Sequence, residues 1–249
     1  MSDQPSRDLQ TQVRALPRTC VLFALPQERK AFRVTPSANL RIETSGAGAV
    51  NSTNAAATIL QECDPNQQLL IICGFGGALI RSLQPGDLVV ASSVIDASKG
   101  LELKSPPILP ERAIIDSALA LESNGFGLHS GALVTADRVL ITAQEKRNWH
   151  EHTGAVVVDM ETAAAVNVAI AAGFQWLALR AVTDESDQDM PLDFNNIADA
   201  NGTVSPLKVA LATLLHPASI PGMIRLGSAA NRAGKNLAAL LSLIIDRNS

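Results

Sequence analysis

Cysteine is scarce in this chain. Cys20, Cys63 and Cys73 are its three, far apart and without a CxxC pair. Cys20 and Cys73 fall in apolar runs, so small core residues are expected rather than metal ligands or nucleophiles. A reduced, cytoplasmic compartment fits that usage. No run reaches the roughly eighteen apolar residues of a membrane-spanning helix. Residues 1–17 are polar, include Asp3 and Asp8, and lack the apolar segment of a secretion signal, so 1–18 is expected to be a flexible leader. Nor is positive charge in excess: 20 Lys and Arg face 24 Asp and Glu, a net −4. That balance gives no support for a nucleic-acid partner. There is no P-loop lysine pattern, and neither glycine-rich loop completes G-x-G-x-x-G.

What is present is a chain of 249 residues, 47% hydrophobic. That is enough for one substantial core, and α/β domains of this length commonly stay single. Strand-like runs at 19–25, 40–44, 69–73, 88–90, 128–135, 156–158 and 178–183 alternate with helical patterns at 54–60, 111–122, 144–152 and 162–172. A short helix starts at Pro26 and contains Glu28. The pattern predicts an α/β fold, a single domain over 19–200 with a central, mostly parallel, twisted sheet flanked by helices. The run 69–73 is continuously apolar and so central, buried on both faces.

Residues 201–249 are expected to form a helical extension of the same domain. They hold Lys208, Arg225, Arg232, Lys235 and Arg247 against Asp246 alone, a net +4 that leaves −8 for residues 1–200. After helix 206–215, Pro217 and Pro221 are expected to break the chain before a second helix at 223–245. There Met223, Leu226, Ala230, Ala233, Leu237, Leu241 and Ile244 recur every three or four residues, with Arg225, Ser228, Arg232 and Lys235 opposite. Such a basic amphipathic helix packs on its own domain or a dimer partner, or lies on a membrane surface.

Two apolar runs end in acids. Val156, Val157 and Val158 lead to Asp159, Met160 and Glu161; after an alanine-rich helix closed by Gly173, a second run reaches Arg180, Thr183 and Asp184. Read as strand, helix, strand, this is the unit of a parallel sheet, and open α/β sheets bind ligands beyond their strand ends. Two acids on one rim suit bond cleavage. The bland alternatives are a macrodipole-favoured acid at Glu161 and a loop cap at Asp184. Gly46, Gly48, Gly74, Gly76 and Gly77 let backbone approach a ligand, or are ordinary turns. His150, Glu151 and His152 do not make a metal site, because a spacing of two on a helix points the rings apart. Arg81 and Arg138 read as surface or ion-pair residues.

Taken in order, Ala24 to Glu28, Ser45 to Gly48, Gly74 to Leu79, Pro85 to Asp87, Asp159 to Glu161 and Arg180 to Asp184 resemble the nucleoside phosphorylase/nucleosidase superfamily. Within it the methylthioadenosine/S-adenosylhomocysteine nucleosidases are the first comparison. The segment 204–243, with His216, Pro217, Ile220 and Pro221, is similar to the C-terminal extension of hopanoid-associated phosphorylases. The resemblance implies cleavage of the N-glycosidic bond of an adenosyl nucleoside, with adenosylhopane the leading substrate and methylthioadenosine or S-adenosylhomocysteine the alternative. A purine-binding protein without catalysis is the alternative of another class.

The same resemblance assigns roles. Glu161 would bind the ribose hydroxyls and sit under the developing oxocarbenium, with Met160 against the sugar. Asp184 would be the general acid to N7, oriented by Thr183. Leu140 would present backbone groups to the adenine edge, with Val139 covering the ring. Glu28 would activate water, and Arg180 could serve either water or phosphate. Gly46, Gly48 and Gly74 belong to the substrate-binding set. Phe75 replaces a serine, Val139 a stacking phenylalanine and Asp159 a Glu, so the pocket is expected to differ in shape. A carboxylate at Glu28 repels phosphate and suits water, so hydrolysis is favoured. No metal or organic cofactor is implied; inorganic phosphate would be a cosubstrate only if the bond is broken by phosphorolysis. A homodimer is expected, cytoplasmic, with peripheral contact at the inner face of the membrane left open.

Overall fold

The computed structural model describes residues 19–34, 36–37, 39–61, 63, 69–103, 105–121, 125–197 and 206–248. The expected leader 1–18 and the boundary near residue 200 lie outside them.

The strands are β1 (Thr19–Phe23), β2 (Leu40–Thr44), β3 (Leu69–Ala78), β4 (Leu88–Ala97), β5 (Leu128–Ala136), β6 (Val157–Asp159) and β7 (Gln175–Asp184). The helices are α1 (Pro26–Arg29), α2 (Ala49–Gln61), α3 (Arg112–Leu119), α4 (Ala143–Thr153), α5 (Thr162–Ala171), α6 (Pro206–Leu215) and α7 (Ile220–Asn248). Parallel pairing joins β2 to β1, β1 to β3, β3 to β7, β4 to β5 and β5 to β6. Antiparallel pairing joins β4 to β7 and β3 to β6. Strands β3, β7, β4, β5 and β6 therefore close on one another, while β1 and β2 extend from β3.

Two expectations about the strands are corrected. The unit β6–α5–β7 does not place its strands side by side. β3 lies between them, parallel to β7 and antiparallel to β6. The glycine segment 74–77 is not a loop after a short strand but the second half of β3. Glycine is what allows it: a Cβ at Gly76 would lie 2.8 Å from Val157 Cγ2 and 3.0 Å from Val158 O, so a side chain would push β6 away.

The period-two alternation of β1 and β3 divides the core in two. Cys20, Leu22, Leu70 and Ile72 face Ala56, Ile59 and Leu60 of α2 and the small residues Ala165, Val166 and Ala169 of α5. Val21, Phe23, Ile71 and Cys73 face Ala233, Leu237, Leu241 and Ile244 of α7. Each buried leucine contributes about 1.5–3 kcal/mol, so α7 is part of the domain's core from Ala233 onward. The sulfurs of Cys20 and Cys63, forty-three residues apart, meet at 2.7 Å within the first layer.

Pro217 opens a single 3-10 turn, Pro217–Ser219. Pro221 does not break the chain; it sits in the first turn of α7, where a missing N–H costs no helical bond. Helix α7 therefore starts three residues before the expected 223 and is about 43 Å long at 1.5 Å per residue. Its Asn236 Nδ2 donates to Gly86 O, pinning it to the turn between β3 and β4. No helix among the described residues is long and apolar enough to cross a membrane.

Candidate active site

The second half of β3 is the floor of the site. Gly74 pairs with Arg180 of β7, and Gly77 pairs with both Val158 of β6 and Asp184 of β7. Glu28 and Asp184 come to this segment from two directions, and Glu161 follows β6, the strand that pairs with its far end.

Glu28 arrives from α1, buried. One carboxylate oxygen accepts from Ala24 N (2.9 Å) and Leu25 N (2.7 Å), the other from Phe75 N (2.8 Å). Gly74 makes the approach possible, since a Cβ there would lie 2.8 Å from Glu28 Oε1. Burial raises the Glu28 pKa above the ordinary carboxylate value; the three N–H bonds and the Arg180 charge offset part of it. The result is a fixed carboxylate more basic than one in water.

Glu161 arrives from the turn after β6. Its Oε1 accepts from Gly48 N (2.8 Å) and its Oε2 from Met160 N (3.2 Å). It occupies the N-cap position of α5, yet its side chain makes no cap bond. That task falls to Asp159, whose Oδ2 accepts from Thr162 N (2.9 Å). Glu161 thus stands at the α5 N-terminus, where the macrodipole favours an acid, without capping the helix through its side chain. Burial first, then the Asp159 charge, push its pKa up to about 7. Gly46 and Gly48, both at φ 88°, shape the loop that carries the Gly48 amide to it.

Asp184 ends β7. Thr183 Oγ1 lies 3.0 Å from its Oδ1 and donates to it, as the orienting role requires. Its Oδ2 is 2.6 Å from the ammonium of Lys146, a side chain only 1% exposed.

Arg180 is corrected. Expected among the ligand contacts, it is 1% exposed with every guanidinium nitrogen engaged inside the protein. Nε and Nη2 donate to Asp159 Oδ2 (3.0 and 2.5 Å), Nη2 to Thr162 Oγ1 (2.7 Å) and Nη1 to Leu179 O (2.9 Å). Asp159 Oδ1 is held in turn by Thr135 Oγ1 at 2.7 Å. The guanidinium is thus held inside the protein by a buried ion pair.

The half-buried Val139 has its N–H and C=O bonded to the Asn195 amide, both at 3.0 Å. Ile141 N donates to Glu145 and Ile141 O accepts from Met190 N. Between them, the Leu140 backbone has no partner among the described residues, which leaves it available to a base edge. Phe75 is half-buried and leans on α7, its Cζ 3.8 Å from where a Cβ on Gly234 would be. Met160 is half-buried beside Glu161.

Three histidines and two arginines have partners elsewhere. His150 bonds Ala155 O, His152 bonds Asn148 O and His129 meets Asp87. Arg81 pairs with Asp187 and Arg138 with Glu145. Lys146, Asn195, Thr135 and Thr162 were missed by the sequence reading. Lys146 is hard to see because it lies in a polar helix pattern with nothing to mark its face as buried.

Comparison with known proteins gives the family. The family model described as Phosphorylase superfamily matches residues 30–229. The 5′-methylthioadenosine/S-adenosylhomocysteine nucleosidase of Haemophilus ducreyi is 28% identical over 162 residues, 60% of this chain and 69% of that protein. The nucleosidase of the same name from Mycobacterium tuberculosis is 25% identical over 190 residues, 62% of this chain and 72% of that protein. Among solved structures, the Helicobacter pylori nucleosidase of that name superposes with a TM-score of 0.69 at 15% identity, covering 93% of this chain and 99% of that one. The futalosine hydrolase of Helicobacter pylori gives the same TM-score at 16% identity, covering 93% and 98%. With its fold and its family match, the chain is an enzyme that belongs to the Phosphorylase superfamily.

Proposed function

We propose that this protein cleaves the N-glycosidic bond of a 5′-substituted adenosine by hydrolysis, releasing adenine. The observation that carries the proposal is the placing of Glu28 at Gly74 and Asp184 at Gly77 of β3, with Glu161 just after the adjoining β6, each held by a different set of donors. Leaving of the base puts positive charge on the sugar and negative charge on the purine, and fixed charges in a shielded pocket support both. Glu161 takes the ribose hydroxyls and faces the cationic sugar, Asp184 supplies the proton to N7, and Glu28 accepts a proton from water. With three of its lone pairs on backbone N–H groups, Glu28 keeps one direction for that water. Hydrolysis is supported over phosphorolysis because Arg180, the cation a phosphate would require here, is already engaged by Asp159. Inorganic phosphate is then not a cosubstrate.

The names of the relatives support 5′-methylthioadenosine and S-adenosylhomocysteine as substrates. A lipid-linked nucleoside such as adenosylhopane is favoured by one feature. Leu211, Leu214 and Leu215 on α6 and Ile224 on α7 are 56%, 73%, 68% and 68% exposed. The surrounding segment 206–245 holds Lys208, Arg225, Arg232 and Lys235 and no acid. An exposed apolar strip with cations alone is complementary to an anionic membrane surface.

Adenine release from each nucleoside, with phosphate-free enzyme and with added phosphate, tests these readings. Release without phosphate is expected, and Asp184→Asn is expected to abolish it while nucleoside still binds. Binding without release in the wild type would leave a purine sensor. Faster turnover of methylthioadenosine than of adenosylhopane would remove the lipid substrate. For the membrane contact, deleting α7 would empty the core of Leu237 and Leu241, so Leu214→Ser with Leu215→Ser is the sharper variant. Flotation with anionic vesicles that is lost in this variant, and weakens with salt, is expected.

A further inference from the structure

The reaction above leaves a buried cation without a task. Lys146 enters from α4, one turn past the Thr142 cap, and its ammonium has three acceptors: Asp184 Oδ2 at 2.6 Å, Glu185 O at 2.7 Å and Gln188 O at 3.1 Å. All three N–H directions are therefore taken, and the nitrogen has one position. A buried ion pair is a poor staple, because desolvating both charges offsets most of their attraction. An apolar side chain would join α4 to the 184–188 turn without that cost. The contact is instead made to the very carboxylate assigned to the purine.

We propose that Lys146 is a positioning residue for Asp184: it holds Oδ2 so that Oδ1 alone faces the base, and it neutralises the carboxylate that proton transfer leaves behind. The proposal rests on the nucleosidase reading. Asp184 takes a proton from solvent across the 15% of its side chain that stays accessible. As C1′–N9 breaks, the bonding pair goes to the base and the proton passes from Oδ1 to N7. Water bonds to C1′ and gives its proton to Glu28. Negative charge thus appears on Asp184 in the transition state, next to an ammonium already in place, which is where fixed electrostatics acts most strongly. Thr183 holds the other oxygen.

The role is separable from mere packing by changing the leaving group. Lys146→Met and Lys146→Arg are compared with wild type on 5′-methylthioadenosine and on 4-nitrophenyl 5-methylthioriboside, whose nitrophenolate departs without a proton. In Lys146→Met, kcat on the nucleoside is expected to fall about 100-fold with KM nearly unchanged, while the nitrophenyl rate changes less than about threefold. Arginine keeps the charge but not the three-acceptor geometry, so Lys146→Arg is expected to show the same split at about tenfold; it also serves if the methionine variant does not fold. Adding Lys146→Met to Asp184→Asn should cost nothing further. Equal losses on both substrates, or losses that add, would overturn the proposal. Wild-type protein that releases no adenine would sink the nucleosidase reading itself; release that Lys146→Met leaves unchanged would sink only this inference.

Discussion

Gly74→Ala is the substitution that most directly probes how the site is built. The position has no positive φ, so alanine is conformationally permitted, and on backbone entropy alone it would stabilise by about 0.4–1 kcal/mol. The obstacle is Glu28: the new Cβ would lie 2.8 Å from Oε1 and 3.0 Å from both Cδ and Oε2. Relief to an ordinary contact requires the carboxylate to retreat by about 0.5 Å, against three N–H bonds of 2.7–2.9 Å. A hydrogen bond to a charged group is worth about 1.5–3 kcal/mol. Weakening one or two of them outweighs the entropy gain and leaves a net loss of about 2 kcal/mol. At about 2–4 °C per kcal/mol for a domain of this size, Tm should drop by about 4–8 °C. Displacing the water-activating carboxylate should also lower kcat about 10- to 100-fold. Thermal or urea unfolding of Gly74→Ala, Glu28→Ala and the double variant closes a cycle. In the Glu28→Ala background the added methyl meets no carboxylate and should be neutral or stabilising. If Gly74→Ala destabilised both backgrounds equally, the reasoning would be wrong.

The pKa of about 7 at Glu161 has two consequences. The folded state holds a proton that the unfolded chain has released between about pH 4.5 and 7, so stability should fall as pH rises across that window, by up to about 3 kcal/mol. Glu161→Gln should flatten this slope in a pH series of melting curves; an unchanged slope would contradict the assignment. For catalysis the anion is required, so log kcat/KM should climb toward a plateau as pH passes about 7, and a profile flat from pH 5 to 8 would count against Glu161 as the ribose-side charge. At the buried pair, Arg180→Met should cost about 3–5 kcal/mol in urea denaturation by stranding Asp159. Asp159→Asn in the same chain should recover part of it, and a fully additive double variant would show that the pair is not coupled.

The layered fold was legible because alternating apolar runs and capped, alanine-rich or polar helices carry their own periods. Glu161 and Asp184 stood out for the same reason: each ends a run. The pairing of β6 was not legible, since a three-residue strand has no period and nothing in 157–159 declares direction. Asp159 and Glu161 both precede α5, and side-chain identity does not say which one turns back to cap it; only the Gly48 amide, 113 residues away, separates them. Arg180 looked like a ligand contact because its pairing with Asp159 is a tertiary event. The stripe on α7 was visible, but whether it faced its own domain depended on the sheet beneath: from Ala233 onward it does, while Leu211, Leu214 and Leu215 of α6 remain uncovered.

One feature of β3 ties these residues together. Along one edge it is paired with β1 up to Cys73 and with β6 from Gly77. Between those partners the ladder has a three-residue gap, and a backbone donor within it, Phe75 N–H, goes to Glu28 instead of to a strand. The proposed base is thus a surrogate strand: it answers a demand for hydrogen bonding that the topology itself creates. A sequence change that let β1 or β6 grow by two residues would reach Phe75 and, by pairing it, evict the carboxylate.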